Sequence, residues 1–125
     1  MSVPPPSPAH LGRHVLLDLY EVPREFLLAP ETAHGILRAA AQKMGATVVD
    51  AKFHAFSPYG VSGVLIIAES HLTVHTWPEH GYAAIDVFSC GELDLEAGLA
   101  HLVAAFSAGR HEVRPFARGR ILQGS

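Results

Sequence analysis

Apolar residues recur along the chain with two periods, one typical of strands and one typical of helices. Short apolar or alternating runs predict six strands, over residues 14–20, 46–56, 61–69, 71–77, 82–90 and 111–117. Pro and Gly residues predict turns at 57–60 and 78–81. Because Pro115 has no backbone donor, the last strand is expected at an edge of the sheet.

Helical spacing occurs in two segments. Apolar residues follow Pro30 at helical spacing as far as Met44, and Gly45 ends the segment. A second helix is predicted over residues 93–109, with Gly109 as its stop. Its apolar face comprises Leu95, Leu99, Leu102, Val103 and Phe106. The order β-α-β-β-β-β-α-β predicts an α+β fold, a two-layer sandwich with helices on one face of a mostly antiparallel sheet.

Length and charge narrow the possible classes of protein. At 125 residues the chain is expected to form one domain over 11–120, after a flexible Pro-rich tail over 1–10. A core of this size leaves no room for a deep cleft, so we expect a sizeable active site to be shared between subunits. The net charge of −3 argues against nucleic acid as the main partner, and no apolar run is long enough to span a membrane.

Histidines and the single cysteine invite two chemical interpretations. His71 and His75 are four apart, but in a strand that spacing spans about 13 Å, too far for one metal ion, so we expect no metal. Cys90 cannot form an intrachain disulfide and fits a reducing cytoplasm. A lone cysteine is usually a small buried hydrophobe, although a cysteine nucleophile paired with a histidine stays open. The run GVSGV differs from a hydrolase nucleophile motif, and the chain is too short for that fold.

Five further residues have ordinary interpretations when they are taken one at a time. Ser62, Ser70 and His75 fit polar groups in strands, Phe56 fits a core position, and Glu79 fits a carboxylate in a turn. No one of them predicts a function.

Together these residues belong to a longer pattern. The segments FSPYGVSG, ESHLTVHTWPE and GYAAIDVFSCG resemble the prokaryotic, pyruvoyl-dependent family of S-adenosylmethionine decarboxylase proenzymes. GRHVLLDLY and GATVVDAKFH are similar to earlier segments of that family, so the resemblance covers about residues 11–120. The chain departs from the family after Cys90, where members often carry Asp-Pro-Trp and this sequence has LDLEAG.

The resemblance implies that Ser70 is converted into a covalent pyruvoyl cofactor. Its hydroxyl would attack the Glu69 carbonyl, and the chain would separate into a β chain, 1–69, and an α chain, 70–125. Ser62 would assist this processing, and His75 would act as its base. The pyruvoyl carbonyl would form a Schiff base with the substrate amine and accept the electron pair that CO₂ leaves. Cys90 would then return a proton to the former α-carbon.

The implied substrate is S-adenosylmethionine, and the product is the aminopropyl donor for spermidine. Phe56 would stack on the adenine, and Glu79 would hold the ribose hydroxyls. The processed unit is expected to be a homodimer of αβ pairs with both sites near the interface. Two alternatives stay open: a pyruvoyl-dependent decarboxylase of ornithine or arginine, and an uncleaved, non-catalytic homologue that acts as an interaction subunit.

Overall fold

A computed structural model describes residues 3–5 and 9–121 of the chain. Within them lie six strands: β1 (His10–Tyr20), β2 (Val48–Ala55), β3 (Val61–Ile67), β4 (Ser70–Trp77), β5 (Tyr82–Ser89) and β6 (Arg110–Arg120). Two helices, α1 (Pro30–Lys43) and α2 (Leu95–Ala105), and two short 3₁₀ turns, Arg24–Phe26 and Pro78–His80, complete the regular structure of this part. The predicted order of elements is confirmed.

The strands form one antiparallel sheet in the order β2-β3-β4-β5-β1-β6. Short turns connect β2 to β5 as a meander; Pro and Gly residues interrupt the apolar runs in the first and third turns, and Ala68 and Glu69 form the second. The chain passes through α1 from β1 to the edge strand β2, and through α2 from β5 to the opposite edge strand β6. The edge position predicted for the last strand from Pro115 is confirmed.

One face of the sheet packs against both helices and holds the core. Alternate residues of the strands point to this face, as the two-residue period of a strand requires. The fully buried side chains of this core include Val15, Leu17, Leu37, Leu65, Leu72, Ile85, Leu99, Leu102 and Phe106. The two-layer α+β architecture is therefore confirmed.

The opposite face of the sheet carries no helix among the described residues, and we call it the open face. Several of its side chains are apolar and exposed: Ile66 is 44% exposed, Trp77 40% and Phe116 52%. It also carries a polar cluster in which the buried Asp18 accepts a hydrogen bond from Tyr82 and pairs with Arg114 at 2.7 Å. Burial, together with this hydrogen bond, raises the pKa of Tyr82.

Helix α2 is shorter than the predicted 93–109. It begins at Leu95 because the Asp94 side chain accepts a hydrogen bond from the Ala97 N–H, at 3.1 Å, and caps the first turn. It ends at Ala105, and the left-handed residue that follows is Ser107, with a φ of 55°. The prediction that Gly109 stops the helix is therefore wrong.

Other boundaries also differ by a few residues. Strand β1 begins at His10, four residues before the predicted start, while β3 and β5 end at Ile67 and Ser89. The predicted tail over 1–10 lies partly outside the described residues. Of its described part, the Val3 N–H donates to the Glu96 carboxylate at 3.0 Å. No helix in the described ranges is long and apolar enough to cross a membrane.

Candidate active site

The bond between Glu69 and Ser70 lies in the tight turn that joins β3 to β4. Ile67 pairs with Ser70, so only Ala68 and Glu69 lie between the paired residues. Glu69 has a φ of 66°, in the left-handed region that favours glycine. Holding a residue other than glycine there costs about 1–3 kcal/mol, so this turn stores strain beside the bond.

The Ser70 hydroxyl is held against the carbonyl that precedes it. Its Oγ contacts the Glu69 carbonyl oxygen as a hydrogen-bond donor. The backbone N–H of Cys90 donates to the same Oγ, at 2.9 Å. The arrangement gives the hydroxyl a neighbouring carbonyl and a fixed donor, which are the parts that an intramolecular acyl shift needs.

Cys90 lies next to Ser70 because of the pairing of β4 with β5. Ser70 pairs with Ser89, and Cys90 follows directly, past the end of the strand. The thiol is exposed, so the interpretation of Cys90 as a small buried hydrophobe is wrong. Glu69, Ser70 and Cys90 thus form a first cluster, which we call the cleavage end of the sheet.

Ser62 and His75 form a second cluster on the open face. They are direct partners on β3 and β4, and Ser62 Oγ lies 2.7 Å from His75 Nδ1. The structure therefore brings these two predicted residues together. The imidazole is exposed, so its second nitrogen is accessible to a ligand.

Phe56 and Glu79 lie beside this second cluster. Both line one open cavity of about 270 Å³, together with Ser62 and His75. Phe56 is 51% exposed, so the core position suggested by its apolar character alone is wrong. We call this cavity and its four predicted residues the binding end of the sheet.

Two aromatic residues of the binding end were not predicted from the sequence. Tyr59 and Trp77 line the same cavity. Each adjoins a proline at a predicted turn, in SPYG and in TWPE. An aromatic residue beside a turn proline is the signal that could have identified both.

The two ends of the sheet lie too far apart to act together within one chain. Ser70 and His75 are both on β4, five residues apart. A strand rises about 3.3 Å per residue, so about 16 Å separates them along the sheet. His75 and Ser62 therefore cannot touch the Ser70 hydroxyl of their own chain.

Comparisons with known proteins identify the family of the chain. Residues 13–119 match the family described as S-adenosylmethionine decarboxylase. The chain belongs to that family. A relative from Thermotoga maritima, named S-adenosylmethionine decarboxylase proenzyme, is 50% identical over 111 residues, which are 88% of this chain and 85% of the relative.

More distant members of the S-adenosylmethionine decarboxylase family match over similar lengths. A protein of the same name from Thermodesulfovibrio yellowstonii is 45% identical over 112 residues, covering 89% of this chain and 83% of that one. The crystal structure of the adenosylmethionine decarboxylase from Aquifex aeolicus superimposes with a TM-score of 0.83 at 30% identity, over 93% of this chain and 97% of the other.

Potential metal ligands are dispersed in the described part of the chain. No three His, Cys, Asp or Glu side chains there are grouped so that they could hold an ion. His71 and His75 both lie on β4, as the strand prediction required.

Proposed function

We propose that this chain is a pyruvoyl-dependent S-adenosylmethionine decarboxylase that matures by cutting itself between Glu69 and Ser70. It supplies the aminopropyl donor for spermidine and works in a reducing cytoplasm, where Cys90 stays a thiol. The observation that carries this proposal is the contact of the Ser70 hydroxyl with the Glu69 carbonyl, at a turn where Glu69 has a positive φ.

Maturation begins at that contact. Ser70 Oγ attacks the Glu69 carbonyl carbon, the peptide C–N bond breaks, and an ester links the two residues through Oγ. The Cys90 N–H stabilises the charge on Oγ as the hydroxyl proton passes to the Ser70 nitrogen, which becomes a free amine. A base then removes the Ser70 Cα proton, the Glu69 carboxylate departs, and hydrolysis releases ammonia and leaves the pyruvoyl group. The strain at Glu69 favours the first step because breaking the peptide bond relieves it.

The residues around Ser70 fit a pyruvoyl group. When formed, the group supplies a carbonyl that condenses with the substrate amine and accepts the electron pair left by CO₂. Cys90 lies beside Ser70 through its N–H bond to Ser70 Oγ, and its thiol gives a proton to the former α-carbon of the substrate. A thiol is a side chain that can act as a general acid.

The binding end suits the nucleoside part of the substrate. The exposed Phe56 ring offers a face for the adenine, and Glu79 offers two acceptor oxygens for the ribose hydroxyls. Trp77 and Tyr59 add aromatic surface, which also suits the positive sulfonium. Ornithine and arginine contain no nucleoside and would leave this cavity unused.

A homodimer reconciles the two separated ends. If His75 and Ser62 act on the Glu69–Ser70 bond, they must come from a second copy of the chain. The open face supports such a partner because it exposes Ile66, Trp77 and Phe116, and monomers rarely leave large apolar patches uncovered. Two open faces packed about a two-fold axis bring each cleavage end to the partner's binding end, which gives two equal sites.

Intact mass and a substrate assay test the proposal together. Denaturing mass spectrometry of the purified protein should give two chains, 1–69 and 70–125, the second beginning with pyruvoyl. Decarboxylation of S-adenosylmethionine, followed by release of labelled CO₂, should exceed that of ornithine and arginine by at least about 100-fold, because only the first substrate uses the binding end.

Ser70→Ala is the matched control because it removes the hydroxyl with little change in volume. This variant should stay a single folded chain and release no CO₂. A full-length wild-type chain after prolonged incubation would contradict the proposal. Faster turnover of ornithine or arginine would instead show that the chain is a pyruvoyl-dependent decarboxylase of that amino acid.

A further inference from the structure

The segment that carries Cys90 is irregular, and one arginine fixes it. Cys90 lies after the end of β5 and before the start of α2. Arg13 Nη2 donates to the backbone carbonyls of Gly91 and Leu93, at 3.4 and 3.2 Å. Ser89 Oγ also donates to the Gly91 carbonyl, at 3.1 Å. These bonds hold the backbone on both sides of Cys90, at Ser89 before it and at Gly91 and Leu93 after it.

The same arginine belongs to the row of paired residues that contains the nucleophile. Arg13 on β1 pairs with Ser89 on β5, and Ser89 pairs with Ser70 on β4. The Cys90 N–H that follows Ser89 donates to Ser70 Oγ. The guanidinium therefore ties the Cys90 segment to the sheet at the position where Ser70 lies.

Stability alone does not explain an arginine at this position. Arg13 Nε is buried, and the described residues give it no hydrogen-bond partner. An unsatisfied buried donor destabilises the folded chain, and an apolar side chain would avoid that cost. The two ends of the guanidinium reach separate segments, because Nη1 donates to the Pro4 carbonyl at 3.4 Å while Nη2 bonds to Gly91 and Leu93. The single ammonium of lysine lacks this planar fork.

We infer that Arg13 is a positioning residue that acts through Cys90, an inference that rests on the proposed function. Before cleavage it keeps the Cys90 N–H on Ser70 Oγ. During turnover it keeps the thiol beside the former α-carbon of the substrate, so that the thiol proton goes to that carbon and the thiolate regains a proton from water.

When the thiol is displaced, a proton from water can reach a different carbon. If the central carbon of residue 70 takes a proton from water instead, the substrate nitrogen stays on residue 70. Hydrolysis then releases a substrate-derived aldehyde and leaves alanine at position 70, which ends activity. The number of turnovers completed per alanine formed therefore measures the position of the thiol, and overall stability does not change that ratio.

Arg13→Ala, Arg13→Lys and the control Arg38→Ala test the inference. Arg38 is exposed on α1 and bonds only to His34 among the described residues, so the control removes an arginine away from the site. Arg13→Ala should slow self-cleavage of fresh precursor about tenfold, without substrate present, and should lower turnovers per alanine about tenfold. Both values for Arg13→Lys should fall between those of wild type and Arg13→Ala. Guanidinium ion at a non-denaturing concentration should partly restore both values in Arg13→Ala.

The outcomes separate this inference from the proposed function. A folded Arg13→Ala protein with the cleavage rate and turnover ratio of the Arg38→Ala control would overturn the inference, even if its melting temperature fell. If Arg13→Ala does not fold, the Arg13→Lys variant is the test. A cleavage rate and a turnover ratio equal to those of Arg38→Ala would then show that Arg13 is not a positioning residue. A wild-type chain that neither cleaves nor releases CO₂ overturns the proposed function instead.

Discussion

The cleavage end depends on backbone groups as much as on side chains. Its residues are Glu69, Ser70 and Cys90. The positive φ of Glu69 and the Cys90 N–H are backbone features, and both act on the Ser70 hydroxyl. Cys90 therefore contributes two separable groups in the proposed mechanism. Its N–H serves maturation, and its thiol serves turnover.

Cys90→Ala separates these two contributions because it keeps the N–H and removes the thiol. We expect this variant to cleave within a few-fold of the wild-type rate. It should lose most decarboxylation, by roughly 100-fold, since a positioned proton donor contributes about that much. Time-resolved mass spectrometry of the α chain should show alanine replacing pyruvoyl as activity falls. Wild-type turnover in this variant would remove Cys90 from the mechanism.

At the scale of elements, β4 determines how the candidate site is divided. Its eight residues carry Ser70 at one end and His75 and Trp77 towards the other. The alternation of HLTVHTW predicted this strand correctly, and strand geometry then excluded a shared metal for His71 and His75. The same geometry separates Ser70 from His75, a consequence that the resemblance to the family did not reveal.

Strand and helix interiors were predictable, whereas several ends and contacts were not. Apolar periodicity located both helices and all six strands, because burial on one face repeats along each element. The ends of α2 depend on single contacts, the Asp94 cap and the left-handed Ser107, which periodicity does not contain. Arg13 was missed for the same reason, since its carbonyl partners lie about 80 residues away along the chain.

Asp94→Ala tests the cap that begins α2. Losing the hydrogen bond to the Ala97 N–H should cost about 1 kcal/mol, which lowers the melting temperature by roughly 3–5 °C for a domain of this size. The measurement belongs in the uncleaved Ser70→Ala background, at one protein concentration, so that a single chain unfolds. Glu92→Ala is the matched control, because no hydrogen bond or ion pair of its carboxylate is found in the described structure. Equal melting temperatures for both variants would show that the cap is not needed.

At the scale of the whole molecule, helices cover one face of the sheet, and the open face exposes apolar side chains beside its polar groups. Exposed apolar side chains on a sheet are stabilised when another layer packs on them. A second copy would supply that layer and would also complete the site, so the burial of the open face and the chemistry of cleavage favour the same dimer. In the dimer that we propose, His75 of one chain would lie at the Glu69–Ser70 bond of the other.

Mixed dimers distinguish a shared site from one built within a single chain. Chains carrying Ser70→Ala and His75→Ala, with different affinity tags, are co-expressed and purified through both tags. In the shared arrangement, one site of this dimer combines an intact Ser70 with an intact His75, and the other site has neither. The His75→Ala chain should therefore be cleaved at close to the wild-type rate, and CO₂ release per dimer should be about half the wild-type value. Each variant alone should cleave at least about 100-fold more slowly than wild type.

The control dimer pairs His75→Ala with a chain that carries both substitutions. It keeps the same Ser70 but contains no His75 in either chain, so cleavage should stay slow. Mass spectrometry of the two tagged chains gives the cleaved fraction of each separately. If the His75→Ala chain stays intact in both mixed dimers, His75 acts only within its own chain, and the two-fold packing of open faces is wrong. Cleavage in the first dimer and not in the second requires that His75 reach across the interface.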